Sequence, residues 1–252
     1  MLDHEIAECC KRLRLSRNLV EMAQSMEGSN HQEYLYNLLF SELQYRKKIR
    51  TEKLVSSAGF YNIKTFEGYR FDEITLPADL SEESLKSLKF IQEKKNIIMY
   101  GGTGTGKTML STALGVAACR QGIPVKFFPT AALVNMLSEA KKAGNLSSFL
   151  KKLNQAELII LDEYGYVPLD RTGSQLLFEI ISDCYERRSI ILNTNLEFSR
   201  WVNVLYDEQM TAATLDRLLH HCYLLLFPGT SNRMKESSIN DLYRSISESS
   251  AN

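Results

Sequence analysis

Residues 101–108 read Gly-Gly-Thr-Gly-Thr-Gly-Lys-Thr, and this run restricts the fold more than any other feature of the 252-residue chain. Closely spaced glycines let the backbone curl until successive N–H groups face one concavity. Such a concavity at the start of a helix is a cradle for phosphate oxygens. The order G-x-x-x-x-G-K-[ST] assigns further roles. Gly101, Gly102, Thr103, Gly104, Thr105 and Gly106 form the cradle, Lys107 reaches the outer phosphates of a nucleoside triphosphate, and the Thr108 hydroxyl ligates Mg²⁺. The plain alternative is a glycine turn between a strand and a helix, and context decides between them. Asn96 to Tyr100 is strand-like, while Met109, the first residue after the loop, opens a helix-like stretch that stops at Gly122. The flanks therefore predict nucleotide binding, with ATP and Mg²⁺ as cofactors.

From this loop onward short apolar runs alternate with helix-length segments. The runs are Ile97 to Tyr100, Val125 to Phe128, Leu158 to Leu161, Ile190 to Leu192 and Tyr223 to Phe227. Continuous apolar runs of this length indicate strands covered on both faces, so the pattern predicts a parallel sheet joined by helical crossovers. Before the loop, residues 1 to about 55 contain no proline and no clear strand, and a turn at Glu27 to Asn30 divides them into two helical segments. A helix is expected from about Ser81 to Gln92, and two more around Gly144. The serine-rich tail offers little to bury and is expected to be flexible.

Thirty basic residues balance thirty acidic ones, so any affinity for nucleic acid must come from locally clustered charge. No apolar run approaches the ~20 residues that span a bilayer, and the first residues lack the apolar core of a secretory signal. Five cysteines without a CxxC pair argue against a disulfide framework or a zinc ribbon. The expectation is a reduced, cytoplasmic protein with no membrane partner.

Leu158 to Leu161 runs into Asp162-Glu163. Behind a phosphate loop, Asp162 is placed to hold Mg²⁺ through water and Glu163 to orient or deprotonate an attacking water. The fourth run ends in Asn193-Thr194-Asn195. A polar side chain there can sense the bound nucleotide. Asn195 is the favoured residue, against the alternative that both asparagines merely end the strand. In TAATLDRLLHHC, residues 211–222, the apolar stripe is Leu215, Leu218, Leu219 and Cys222. Arg217 lies opposite it and is expected to be exposed, either as a solvated arginine paired with Asp216 or as a finger given to a neighbouring subunit. His220 and His221, taken as two lone imidazoles without a ligand set of carboxylates or cysteines around them, read as surface. Arg46, Lys47, Lys48, Arg50 and Lys53 set five positive charges against one negative in eight residues. Arg46, Arg50 and Lys53 share a helical stripe that either contacts DNA phosphates or is simply a solvated face.

Taken together these segments resemble the IstB-type transposition helper ATPases, relatives of the DnaC helicase loaders in the AAA+ initiator clade. The resemblance rests on Leu13-Arg14-Leu15, the basic helix of residues 45–54, GGTGTGKT at 101–108, LIILDEYGYVPL at 158–169, LLFEIISDCYERRSIILNTN at 176–195, ATLDRLLHHC at 213–222 and Ser231-Asn232-Arg233. It implies an α/β fold: an AAA+ P-loop NTPase with a parallel five-stranded sheet flanked by helices, preceded by a small all-α N-terminal domain. The expected division is a helical DNA-binding and assembly domain at 1–57, an ATPase domain at 58–235 and a tail at 236–252. The resemblance further implies that the sensor strand lies between the phosphate-loop strand and the Asp162 strand, and that residues 130–155 carry the extra helix of initiator-type ATPases. It makes Arg217 a finger acting in trans and puts Arg233 at the position of a second sensing arginine. It also implies a homo-oligomer, a ring or spiral on double-stranded DNA, that remodels the duplex and recruits a cognate transposase. One departure is that Asn193 stands where relatives usually carry threonine.

The alternative with the same engine is a DnaC-like replicative helicase loader. A small-molecule phosphotransferase would not need Arg217 on an outer helix, and a non-catalytic scaffold would be expected to have lost Lys107 or Glu163.

Overall fold

All five apolar runs become strands of one parallel sheet in the computed structural model, which describes residues 2–232. The strands are β1 (Asn96–Gly101), β2 (Val125–Pro129), β3 (Leu158–Tyr164), β4 (Ser189–Thr194) and β5 (Cys222–Phe227), in the spatial order β2-β3-β4-β1-β5. β4, with the polar end, thus lies between the phosphate-loop strand and the Asp162 strand, as the family resemblance implies. The register pairs Ile97 with Ile191 and Ile160 with Ile191 across the two sides of β4.

The chain divides into two compact units after Leu54. The first contains α1 (Leu2–Arg12), α2 (Leu19–Ser25) and most of α3 (His31–Ala58). The sequence predicts two helical segments there, but a second break separates α1 from α2. Arg14 stands in the left-handed region at φ 54°, a conformation that stops a helix, and composition does not reveal it. Behind that break the Glu42 carboxylate, only 2% exposed, accepts from the Ser16 N–H at 2.7 Å, from the Ser16 hydroxyl and from Arg46 Nε at 2.7 Å. Arg46 also donates to the Arg14 carbonyl.

In the second unit the expected helix at 81–92 is two short helices, α4 (Glu82–Lys86) and α5 (Lys89–Gln92), broken where Leu88 adopts φ 64°. The Ser81 hydroxyl caps α4 by accepting from the Ser84 N–H at 3.1 Å. The crossovers are α6 (Lys107–Arg120), the pair α7 (Thr130–Lys142) and α8 (Leu146–Leu153) around Gly144, and α9 (Arg171–Cys184). α10 (Val202–Leu205) and α11 (Glu208–Leu219) follow β4 and lead into β5.

Strand alternation assigns the faces. Ile98, Ile159, Leu161, Ile190 and Leu192 join one core cluster with Leu133, Leu137, Leu177, Ile181, Trp201 and Leu218 from the helices. Ile160 points the other way, toward Gly115 of α6, where a Cβ would come within 2.8 Å of its side chain. Both faces being covered explains why the strands read as continuous apolar runs. All five cysteines are free; burial pushes the Cys119 and Cys184 thiols up to about 11 and Cys222 to about 12, which keeps them as inert apolar groups. No described helix is long and apolar enough to cross a membrane.

Candidate functional site

The loop between β1 and α6 opens onto a cavity of about 870 Å³ at the C-terminal ends of the strands, the edge where open α/β sheets place ligands. Thr103, Gly104, Thr105, Gly106, Lys107, Thr108 and Met109 line it, whereas Gly101 and Gly102 only feed the loop. Gly106 caps α6 at φ 99° and Gly104 stands at φ 78°, conformations that favour glycine. Lys107, 7% exposed, reaches back to the carbonyls of Gly101 (2.7 Å) and Gly102 (2.6 Å), so its ammonium sits inside the curl of the loop.

β3 brings Asp162 to the same place. The Thr108 hydroxyl donates to its carboxylate at 3.0 Å, and the Thr130 hydroxyl donates to its backbone carbonyl at 2.8 Å. The pairing of Leu161 with Leu192 sets Asn193 beside Asp162. The Asn193 amide donates to Asp162 Oδ1 at 2.9 Å and to the Ser111 hydroxyl at 2.8 Å, while Ser111 donates to the Thr108 carbonyl at 3.2 Å. The ring of bonds Thr108–Asp162–Asn193–Ser111–Thr108 ties the start of α6 to two strand ends. A carboxylate and a hydroxyl, both hard oxygen donors, are the ligand set a Mg²⁺ ion takes, so the residues fit that ion.

The register then shifts between Leu161 and Tyr164. Glu163 occupies the shift at φ 57°, exposed and lining the cavity, while Tyr164 returns to the core and packs on Trp201 with ring centroids 4.3 Å apart. The same shift decides the fate of β4's end. Tyr164 pairs with Thr194, which closes the strand. Asn195, beyond it, is exposed and is not among the residues lining the cavity. The amide facing the carboxylate is that of Asn193, not the favoured Asn195.

Arg217 is on α11 but is not fully exposed, as helix geometry alone suggests. Its guanidinium lies over the Phe178 ring, 5.1 Å from the centroid, and donates to the Ala213 carbonyl at 2.8 Å. It does not line its own chain's cavity. Nearby, the Glu186 carboxylate joins His220 and His221, their ligand atoms all within 4.8 Å, so the histidines do have an acidic neighbour that sequence order conceals. In the first unit Lys47, Lys48, Arg50 and Lys53 are exposed. Arg46, also exposed, is engaged with Glu42 and Arg14. Arg233 and the tail at 236–252 lie outside the described residues.

Sequence reasoning missed one wall of the cavity. Tyr61, Asn62, Lys64, Gly68, Tyr69, Arg70 and Glu73 line it from the segment before the sheet, and Asn232 lines it from the segment after β5. Burial, with the Glu73 carboxylate adding to it, pushes the Tyr69 phenol far above its usual range. Tyr166, from the Asp-Glu-Tyr-Gly-Tyr motif, hydrogen-bonds Thr103 of the loop at 3.0 Å. No periodicity marks residues 61–73; the aromatic spacing Tyr61, Phe66, Tyr69, Phe71 is the signal that could have found them.

Comparison with known proteins agrees with this architecture. The family described as IstB-like ATP binding protein matches residues 12–240. An ATP-binding protein of insertion sequence IS21 from Pseudomonas aeruginosa is 34% identical over 242 residues, covering 92% of this chain and 90% of the relative. One of insertion sequence IS5376 from Geobacillus stearothermophilus is 30% identical, covering 95% and 98%. Among solved structures, the replication initiator DnaA bound to AMPPCP and single-stranded DNA superimposes with a TM-score of 0.51 at 19% identity, over 68% of this chain and 52% of that one, a likeness of fold. With the phosphate loop, the Asp-Glu strand end and the strand order all in place, this chain belongs to the IstB-like ATP-binding protein family.

Proposed function

We propose that the protein is a Mg²⁺-dependent ATPase that assembles on double-stranded DNA and delivers it to the transposase of an insertion sequence. The observation that supports this most is that Lys107, Thr108, Asp162 and Glu163 all line one cavity of nucleotide size. The loop N–H groups and the N-terminus of α6 receive the triphosphate, and Lys107 exchanges its two carbonyl partners for the outer phosphates. Thr108 and Asp162 would hold a Mg²⁺ ion, which would supply positive charge against the phosphate oxygens. Glu163 accepts the proton of the attacking water. Tyr61 and Tyr69, both lining the cavity, give the base an aromatic wall.

Arg217, absent from its own cavity, completes a neighbouring subunit's pocket, a contribution that in such enzymes is ~10³–10⁵ in rate. That makes hydrolysis a property of an assembled ring or spiral. The exposed cations of α3 contact the duplex backbone. A transposase is favoured over a replicative helicase as partner because relatives of matching length belong to insertion sequences.

The test pairs nucleotide binding with turnover. Wild-type protein should bind a fluorescent ATP analogue and hydrolyse ATP faster when duplex DNA is added, and Lys107→Ala should lose both. Unchanged nucleotide affinity in Lys107→Ala would remove the phosphate-loop assignment, and DNA-independent turnover would remove the assembly on DNA.

A further inference from the structure

Asn193 carries the most informative unsatisfied atom in the site. Its side chain is 1% exposed. Both amide hydrogens are spent, one on Asp162 and one on Ser111. Neither partner permits the reverse orientation. A carboxylate only accepts, and the Ser111 hydroxyl has given its proton to the Thr108 carbonyl, so it too must accept from Asn193. The amide oxygen therefore points away from both, and it has no hydrogen-bond partner although it is buried. A buried carbonyl oxygen left alone calls for a donor that arrives with a ligand.

The chemistry around it selects the donor. The residue lines the same cavity as Thr108, Asp162 and Glu163. A phosphate oxygen is an acceptor and cannot satisfy an amide oxygen, while the amide nitrogen that could touch phosphate is fully engaged. Two neighbouring carboxylates favour a cation, and water bound to a divalent cation is a stronger donor than bulk water because the ion polarises its O–H bonds.

We propose that Asn193 is a positioning residue of the cation site: its nitrogen fixes the Asp162 carboxylate, and its oxygen accepts a hydrogen bond from a water in the shell of the divalent ion. The proposal rests on the Mg²⁺–nucleotide reading above and goes beyond it, because it removes Asn193 from contact with the terminal phosphate and makes it an outer-shell partner of the ion. Outer-shell partners of this kind set metal affinity by about 10- to 100-fold.

The experiment measures nucleotide binding as Mg²⁺ is titrated into wild type, Asn193→Ser and Ser111→Ala, using a fluorescent ATP analogue with a metal-free series in EDTA. A parallel Mn²⁺ titration followed by electron paramagnetic resonance reads the ion itself. Asn193→Ser should raise the Mg²⁺ and Mn²⁺ midpoints about tenfold or more, with metal-free nucleotide affinity within about twofold of wild type because the loop and Lys107 are untouched. Ser111→Ala, at the far end of the same chain of bonds, should shift the midpoints in the same direction by less. It also supplies the test if Asn193→Ser does not fold. Wild-type midpoints in a folded Asn193→Ser would overturn the proposal. So would a loss of metal-free nucleotide affinity at an unchanged Mg²⁺ midpoint, which marks direct phosphate contact. If wild type binds no nucleotide, or binds it with no dependence on Mg²⁺, the functional reading itself falls and takes this proposal with it.

Discussion

Glu163 holds a backbone conformation that costs a residue with a side chain about 1–3 kcal/mol, and its surroundings show what imposes it. On one side Asp162 is locked by Thr108, Asn193 and Thr130; on the other Tyr164 is buried against Trp201 and pairs with Thr194. Between two fixed neighbours the one residue left over must bulge, and it does so at the lining of the cavity. Replacing Glu163 with Gln keeps the shape and removes the proposed base. Glu163→Gln should therefore bind the ATP analogue with near wild-type affinity and lose about 10²–10⁴ in turnover. Near-normal hydrolysis in a coupled assay would show that another group takes the proton.

α3 carries two kinds of cation that look alike in sequence. All are exposed, but Arg46 is held by the buried Glu42, whereas Lys47, Lys48 and Arg50 have no such carboxylate in the ion pairs among the described residues. Burial alone would raise the Glu42 carboxyl, but hydrogen bonds from Ser16 and Arg46 outweigh it and hold the group below its ordinary value. Because the folded value is the lower one, this stabilisation is present above the unfolded value near about pH 4.3 and is lost as pH falls through the folded value. Glu42→Ala should loosen the first unit by about 2–4 kcal/mol at neutral pH, seen as faster hydrogen exchange over residues 14–46, with the difference from wild type shrinking on acidification. An equal difference at pH 3 and pH 7 would contradict the role given to the carboxylate. For DNA, neutralising Lys47, Lys48 and Arg50 should flatten the log–log salt dependence of duplex binding by about 0.9 for every DNA phosphate that no longer meets a cation. An unchanged slope would return these residues to a solvated face.

At the scale of the whole chain, what was legible follows from physics that is local in sequence. Five strands buried on both faces announce themselves as apolar runs, and the phosphate loop and Asp162-Glu163 are contiguous. What was hidden depends on partners far along the chain. Asn193 meets Asp162 through the pairing of β3 with β4, the Glu42–Ser16 pair spans 26 residues, and the wall from Tyr61 to Glu73 has no periodicity to betray it. Arg217 was legible as a residue outside the core stripe, but its resting place against Phe178 and the Ala213 carbonyl was not. That parked position, away from its own cavity, is what a finger acting in trans requires. The most direct measurement mixes purified Glu163→Gln and Arg217→Ala proteins on duplex DNA and follows phosphate release. Each alone should be nearly inactive. An equal mixture should recover up to about a quarter of wild-type turnover, since half the pockets keep the glutamate and half of those face an intact arginine. A mixture no more active than its two components would contradict a pocket completed by a second copy of the chain.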